Sequence, residues 1–194
     1  MIDIKFKEKL ESERLILKVP ELNFDTAKLL FLYVDKNREE LWKWLPWVPT
    51  NTKPEHSFEF LQSCQKDFES GIKVEYFIIE KSTGDFCGLC HAYKRADFTH
   101  HYFEIGYWLD KDKYGKGYMT EAVKTIEEYL FSQNAPKLVI RNDTENSGSI
   151  NIAKRLNYHL DCVSRLDFYS KRLKSYRDVN IWSKLHPNIE KQRG

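Results

Sequence analysis

Residues Leu109 to Ala122 read LDKDKYGKGYMTEA, and this stretch decides the fold. It starts at the end of an aromatic, apolar run that is typical of a strand, passes two glycines on either side of Lys116, and enters a strongly amphipathic helical pattern. Glycines allow several backbone N–H groups to turn toward one point, and the helix start adds its positive dipole. The stretch therefore predicts a loop that binds phosphate or pyrophosphate, with an ordinary glycine turn as the alternative.

The loop does not match the common nucleotide-binding motifs. No Gly-Lys-Ser/Thr completes a Walker loop, and the third glycine of the dinucleotide fingerprint is absent. The pyrophosphate of an acyl-CoA requires neither motif.

The segments on either side of the loop predict a mixed α/β (α+β) architecture. Short β-branched runs indicate strands, and apolar residues at helical spacing indicate amphipathic helices. Strands are expected at 13–19, 74–80, 86–93, 102–109, 137–141, 160–168 and 176–185, and helices at 26–35, 57–68, 120–131 and 148–156. This order fits one sheet flanked by helices, and the polar tail at 187–194 is expected to fray.

Length and composition restrict the class of protein. At 194 residues and 41% hydrophobic content, the chain is expected to form one domain over 1–194 with a buried core. A formal net charge of +2 gives no overall field for nucleic acid, and the sequence offers no direct evidence for binding it. The N-terminus is charged and no apolar run is long enough to span a bilayer, so we expect a cytoplasmic protein without a membrane partner.

Four landmarks, taken in order, resemble the GNAT N-acetyltransferase superfamily. The loop DKYGKG (112–117) is similar to its motif A, although Asp112 departs from the usual first residue. The order of the landmarks is similar to that in the Rim-type branch, which includes ribosomal-protein N-terminal acetyltransferases. The landmarks are ERLILKV (13–19), LWKWLPWV (41–48), FEIGYWLDKDKYGKGYMTEA (103–122) and NSGSINIAKRLNY (146–158).

The resemblance, which extends over about 13–182, implies a fold, a co-substrate and a binding site. The implied fold is a single twisted, mostly antiparallel mixed sheet with flanking helices, and the implied co-substrate is acetyl-CoA. The pantetheine arm would pair with Tyr107, Trp108 and Leu109 and bond to Asn146. The pyrophosphate would be held by the backbone amides of Tyr114, Gly115, Lys116, Gly117, Tyr118 and Met119 and by the hydroxyl of Thr120, with Lys154 close to the phosphates.

Two side chains are candidates for proton transfer. Ser149 matches a hydroxyl that donates a proton to the leaving thiolate in some Rim-type enzymes, and its alternative role is a helix N-cap. Glu104 shares a strand face with Gly106 and Trp108 because side chains alternate along a strand, so its carboxylate is a candidate general base. A solvent-facing strand glutamate is the alternative.

The tryptophan-rich segment LWKWLPWV is a candidate substrate site. Trp42, Trp44 and Trp47 surround Pro46, a density typical of a binding wall or lid. A patch of apolar core under a loop is the alternative interpretation.

The acceptor is expected to be a primary amine, and a protein or peptide N-terminus fits best. Alternatives are a small amine, such as an antibiotic, polyamine or amino-sugar, and a non-catalytic acyl-CoA-binding module. The hairpin at 164–178 departs from the Rim-type pattern with a basic cluster, which is either an acidic-acceptor rim or a solvated charge run. The resemblance implies a homodimer, and no ligand spacing indicates a metal.

Overall fold

A computed structural model describes residues 4–96 and 101–191, and these form one eight-stranded mixed sheet flanked by helices. The sheet order is β1-β2-β3-β4-β5-β6-β8-β7, and this mixed sheet with flanking helices confirms the expected mixed α/β fold class. The strands are β1 Lys9–Glu11, β2 Leu15–Lys18, β3 Lys73–Glu80, β4 Phe86–Ala96, β5 His101–Leu109, β6 Lys137–Asp143, β7 His159–Ser170 and β8 Ser175–Leu185. The helices are α1 Phe24–Lys36, α2 Arg38–Leu41, α3 Pro54–Glu69, α4 Tyr118–Ser132, α5 Ser147–Arg155 and α6 Pro187–Glu190.

Each face of the sheet carries its own apolar core. On one face, α4 packs against the strands through Val123, Ile126 and Leu130. On the other face, α1 and α3 bury Leu30 and Leu61 with strand residues of β3 to β5. The two layers of helices leave the central strands β4 and β5 covered on both sides, so site residues near them sit on a rigid support.

The strand pair β5–β6 is the parallel pair of the sheet, and it is very short. Pairing joins only Phe103 to Leu138 and Glu104 to Val139. Beyond Glu104 the two strands separate, although β5 stays paired with β4 as far as Leu109 and β6 stays paired with β8 along its whole length. Among the residues that the structure describes, one edge of β5 therefore has no strand partner over 105–109, and a gap opens in the middle of the sheet.

The helix and strand expectations are confirmed in order, with shifted ends. Asn23 caps α1 by accepting from the Thr26 amide, and Pro54 takes the first position of α3, where its missing N–H costs nothing. Within the polar tail, Pro187–Glu190 form a short helix that His186 caps. The expectation that the tail frays stays a prediction. The last three positions of that tail lie outside the described residues. No helix in the described segments is long and apolar enough to cross a membrane.

Two glycines fix the packing of β4 against β5. Gly106 is expected from sequence to mark a bulge or a close backbone approach, but the β4–β5 register runs without a shift past it, and its neighbour is the ring of His91. The close backbone approach occurs instead at Gly88, where a Cβ would lie 2.3 Å from the carbonyl oxygen of Trp108. The end of β5 can therefore lie against β4 only because position 88 lacks a side chain.

Gly88→Ala should destabilise the fold far more than Gly84→Ala. Both positions have positive φ, at 153° and 77°, but an added Cβ at Gly84 meets nothing within 4 Å. We expect a loss of about 1 kcal/mol in the free energy of unfolding for Gly84→Ala, from backbone strain alone. For Gly88→Ala we expect a loss of at least about 3 kcal/mol, because strain and collision with the β5 backbone add. Urea unfolding followed by circular dichroism measures both, and equal losses would contradict the close approach.

Candidate active site

The loop between β5 and α4 presents a run of unused backbone donors. Gly115 and Gly117 have φ of 76° and 79°, and Gly117 stands at the N-cap position of α4 without a side-chain cap. Within the described parts of the chain, the amides of 115–120 donate to no acceptor, and the first bonded amide is that of Glu121. Six consecutive free amides at the start of a 15-residue helix form an anion site of the size that a pyrophosphate needs.

The outer side of this loop is braced by Arg14, which directly precedes β2, and by Glu80 at the end of β3. Arg14 donates to the carbonyl of Lys116 at 2.9 Å and pairs with Glu121 at 2.6 Å. The hydroxyl of Tyr118 donates to Glu80 at 2.5 Å, and Lys113 reaches the other oxygen of that carboxylate at 2.7 Å. Lys113 and Tyr118 lower the pKa of Glu80 to about 2, so its carboxylate is ionised throughout the physiological pH range. The braces hold carbonyls and side chains, which leaves the loop amides free for a ligand.

The start of the loop is tied to the opposite layer of helices through Asp110. Its carboxylate is buried and accepts from Lys36 at 2.7 Å and from Asn37 at 3.1 Å, both at the end of α1. Asn37 in turn accepts from the amide of Lys111 at 2.8 Å. Asp110 and Asn37 therefore connect the end of α1 to the start of the glycine loop.

Ser149 lies at the centre of a hydrogen-bonded network behind the gap. Its Oγ lies 3.0 Å from the hydroxyl of Tyr107 and accepts from Nδ2 of Asn142 at 3.1 Å. The orientation of Asn142 is fixed because its Oδ1 accepts from the indole N–H of Trp182, which can only donate, and from Asn180. Ser149 therefore accepts from Asn142 and keeps its own proton for donation.

Tyr107 stays protonated in this network. Burial raises the pKa of its hydroxyl to about 12, and the hydrogen bond to Ser149 lowers it by less than burial raises it. A phenol that is neutral at all physiological pH values can donate to the second lone pair of Ser149. The serine hydrogen would then point away from both partners, toward whatever occupies the gap.

The alternative interpretation of Ser149 as a helix N-cap is wrong. Asn146 is the N-cap of α5, and its Oδ1 accepts from the amide of Ser149 at 3.1 Å. The Asn146 side chain therefore positions Ser149, and its amide nitrogen has no partner among the described residues. Lys154 lies exposed in the last turn of α5, at the other end of the helix, so its role near phosphates stays a prediction.

Glu104 is the last residue of β5 that pairs with β6. Its side chain lies on the face of the sheet opposite to that of Tyr107 and Ser149. Both Nε and Nη2 of Arg95 donate to its Oε2, at 3.3 and 3.2 Å, which leaves Oε1 for another partner. The Glu104 side chain is 21% exposed. Arg95 itself stacks on Tyr93, its guanidinium carbon 4.3 Å from the ring centroid.

The two candidate proton-transfer groups approach the gap from opposite sides. Trp108, on the face of Glu104, packs in the core under α1 and α3. Ile105 and Tyr107, on the other face, pack with the core under α4. A base and an acid on opposite faces suit two reactants that enter from opposite sides and meet at the unpaired edge of β5.

The tryptophan segment is divided between core and surface. Leu41 and Val48 are buried, which agrees in part with the core interpretation, whereas Trp42 and Trp47 are 38% and 39% exposed. A groove of about 400 Å³ is lined by Trp42 with Asp35, Arg38, Val48, Pro49 and Thr52. Neither Trp44 nor Trp47 lines this groove, nor does any residue of β5. The role of the three tryptophans in substrate binding stays a prediction.

The basic cluster of the last hairpin is partly neutralised. Arg177 pairs with Asp143 through two hydrogen bonds of 2.8 Å and with Glu145 at 2.8 Å. It therefore joins β8 to the end of β6 and does not face solvent as a free charge. Lys171, Arg172 and Lys174 remain exposed at the turn.

Comparison with known proteins identifies the family. Residues 14–159 match the Acetyltransferase (GNAT) domain, and the chain belongs to that family. It is 24% identical to the ribosomal-protein-serine acetyltransferase of Escherichia coli K12 over 161 residues, covering 82% of this chain and 87% of the relative. It is 28% identical to the uncharacterised N-acetyltransferase p20 of Bacillus licheniformis, covering 92% and 96%.

Solved structures confirm the fold. The RimL ribosomal L7/L12 acetyltransferase in complex with coenzyme A superposes with a TM-score of 0.83 at 22% identity, covering 92% of this chain and 98% of the other. The microcin C7 self-immunity acetyltransferase MccE, in complex with acetyl-CoA and AMP, gives 0.81 at 23% identity, covering 90% and 93%. The chain is an acetyl-CoA-dependent N-acetyltransferase of the GNAT type.

Several contributors to the site are missed from the sequence. Asn142, Asn180 and Trp182 come from different strands, and no sequence spacing connects them to Ser149. Arg95 is separated from Glu104 by a hairpin, and its pairing depends on the β4–β5 register. A correct prediction of the register between β4 and β5 would have indicated that Arg95 lies near Glu104.

Gly115→Ala should weaken coenzyme A binding without loss of stability beyond that of Gly71→Ala. Both glycines have positive φ, and an added Cβ meets nothing within 4 Å at either position. Only Gly115 orients the free amides of the loop, so we expect a roughly tenfold rise in Kd, equivalent to about 1.4 kcal/mol. Calorimetric titration with coenzyme A checks this, and an unchanged Kd would contradict the amide site.

Proposed function

We propose that the chain acetylates the α-amine of a protein or peptide N-terminus. The observation that carries the proposal is the unpaired edge of β5, which lies between the free loop amides and Glu104. The E. coli relative is a ribosomal-protein-serine acetyltransferase, which supports a protein acceptor. The wall of exposed Trp42 and Trp47 is compatible with an extended chain that lies on the surface.

The chemistry of the amine also favours an N-terminus. The attacking nitrogen must be neutral, and an α-amine with a pKa of about 7.7 to 8.0 is roughly one-tenth neutral at pH 7. A lysine amine with a pKa of about 10.4 is neutral in fewer than one molecule in a thousand. A site with one accessible carboxylate is better matched to the smaller proton-transfer task.

The residues present fit acetyl-CoA, which supplies an acetyl thioester when bound. In the proposal, the amides of 115–120 hold the pyrophosphate, Thr120 adds a hydroxyl, and the edge of β5 at Tyr107, Trp108 and Leu109 pairs with the pantetheine arm. Asn146 offers its free amide nitrogen to the same arm. The amides of the unpaired edge are also the donors best placed to polarise a carbonyl in the gap.

In the proposed mechanism, proton transfer is divided between the two faces. Glu104 acts as general base on the acceptor amine through Oε1, to which no described residue donates, either directly or through water. Ser149 donates its proton to the leaving sulfur, with Asn142 and Tyr107 holding the hydroxyl in place. The amine attacks directly while both reactants are bound, so no covalent intermediate on the protein is formed.

Glu104→Gln and Ser149→Ala should each lower kcat/KM by about a hundredfold, the usual contribution of one general acid or base. Glu128→Gln and Ser147→Ala are matched controls, because both side chains are exposed on neighbouring helices. Steady-state assays of thiol release measure the effect. Coenzyme A affinity should stay within about twofold, and unchanged turnover in both variants would contradict both roles.

Acceptor class should be decided by a panel of amines assayed for thiol release from acetyl-CoA. We expect turnover with peptides that have a free N-terminus, and little with blocked peptides that carry only lysine, because so little of the lysine amine is neutral. Polyamines and aminoglycosides complete the panel. Turnover with a blocked lysine peptide equal to that with a free-ended one would contradict the proposal.

A small-molecule acceptor is the second candidate. It is favoured by the structural likeness to MccE, which is described as a self-immunity protein against microcin C7. Preferential turnover of an aminoglycoside or polyamine in the panel would support it. If no amine in the panel gives thiol release although the protein still binds coenzyme A, the result would favour a non-catalytic acyl-CoA-binding module.

A further inference from the structure

Three residues lie side by side across the centre of the sheet, on the face of Glu104. Glu75 on β3 pairs with His91 on β4, and His91 pairs with Gly106 on β5. Gly106 has no side chain. It lies in the stretch of β5 that pairs with β4 on one side and, among the described residues, with no strand on the other. The row therefore runs from a buried carboxylate to the edge of the gap.

The imidazole of His91 occupies the space that a side chain at position 106 would fill. A Cβ on Gly106 would lie 2.4 Å from Cε1 and 2.5 Å from Nε2 of His91. The ring thus extends over the β5 backbone toward the gap, and its side chain is 26% exposed. Position 106 is two residues beyond Glu104 on the same face, so the ring lies farther along β5 into the unpaired stretch than the carboxylate.

Glu75 faces the opposite side of the ring. Its side chain is only 2% exposed, and Oε1 pairs with Lys73 and lies 3.5 Å from Nδ1 of His91. Its Oε2 is buried without a hydrogen-bond partner in the described structure. Burial opposes ionisation, but His91 and Lys73 outweigh it and hold the pKa of Glu75 below its ordinary value. An anion opposite Nδ1 favours the tautomer with its proton there, which leaves the Nε2 lone pair toward Gly106.

We propose that His91, held by Glu75, shares the general-base role with Glu104. The inference rests on the amine attack of the proposed function. The acceptor enters as an ammonium ion and gives one proton to Nε2 of His91, and Glu75 stabilises the resulting imidazolium. The neutral nitrogen then bonds to the thioester carbonyl carbon, the C–S bond breaks, the thiolate takes the proton of Ser149, and Glu104 takes the second proton of the nitrogen. One of the two protons taken up returns to Ser149 through water, and the other is released to solvent.

Other charged groups around the pair are few. Glu75 and Lys73 face the ring from β3, and Glu104 on β5 and its partner Arg95 on β4 lie on the same face. From α3, Cys64 and Asp67 contribute, and the charges of Glu75 and Asp67 together with burial keep the pKa of Cys64 well above its usual range.

His91→Gln should lower kcat/KM roughly tenfold at pH 7, with a larger loss when it is combined with Glu104→Gln. The loss should shrink to within about twofold at pH 9, because an α-amine with a pKa of about 8 is then already neutral. His159→Gln, an exposed histidine on the edge strand β7, is the matched control. A deficit equal at pH 7 and pH 9, or no deficit on either background, would overturn the proposal.

A second measurement does not depend on the acceptor. Nitrogen NMR of histidine-labelled protein bound to coenzyme A, with His91→Gln to assign the signal, should show the neutral ring protonated on Nδ1. Glu75→Gln should move the population toward the other tautomer. A neutral His91 that carries its proton on Nε2 in the wild-type chain would overturn the proposal, even if no tested amine were a substrate and the proposed function had failed.

Discussion

The separation of β5 from β6 after the pair Glu104–Val139 is the constraint on which the rest of the structure depends. Each strand is fully paired on its other side, so the sheet keeps its stability while one edge of β5 remains free. Backbone N–H and C=O groups in such an edge need partners, and an extended ligand can supply them as an additional strand would. The candidate proton-transfer residues and the loop amides can be described by their position relative to this gap.

The proposed proton donor and proton acceptors lie on opposite faces of the sheet. Each is held in place by its own set of neighbouring residues. Ser149 is held from behind by residues of β5, β6 and β8, whereas Glu104 and His91 are held by partners on β4 and β3. Asp110 joins the layers, because helix α1 and the start of the amide loop share its carboxylate. The proposed proton donor and the proposed proton acceptors therefore have separate hydrogen-bond partners.

Much of the fold could be predicted from sequence, because it depends on local patterns. The Gly-Lys-Gly loop, the amphipathic run of α4 and the alternation of β5 all follow from short-range rules of helix and strand formation. The caps at Asn23 and Pro54 follow from the same kind of rule. The cap at Asn146 was not predicted. The family resemblance indicated only a ligand contact for this residue, and the structure adds that it caps α5, the helix that carries Ser149.

The sequence by itself determined the order of the main elements and predicted an anion-binding loop, because both depend on neighbours along the chain. It offered Glu104 as a candidate through strand alternation and Ser149 through the family resemblance. Only the tertiary structure decided which groups surround them. Arg95 reaches Glu104, His91 covers Gly106, and Asn142 orients Ser149 through strand register and through contacts across 7 to 15 positions. Register is a collective property of the paired strands and the cores that bury them, so no local pattern contains it.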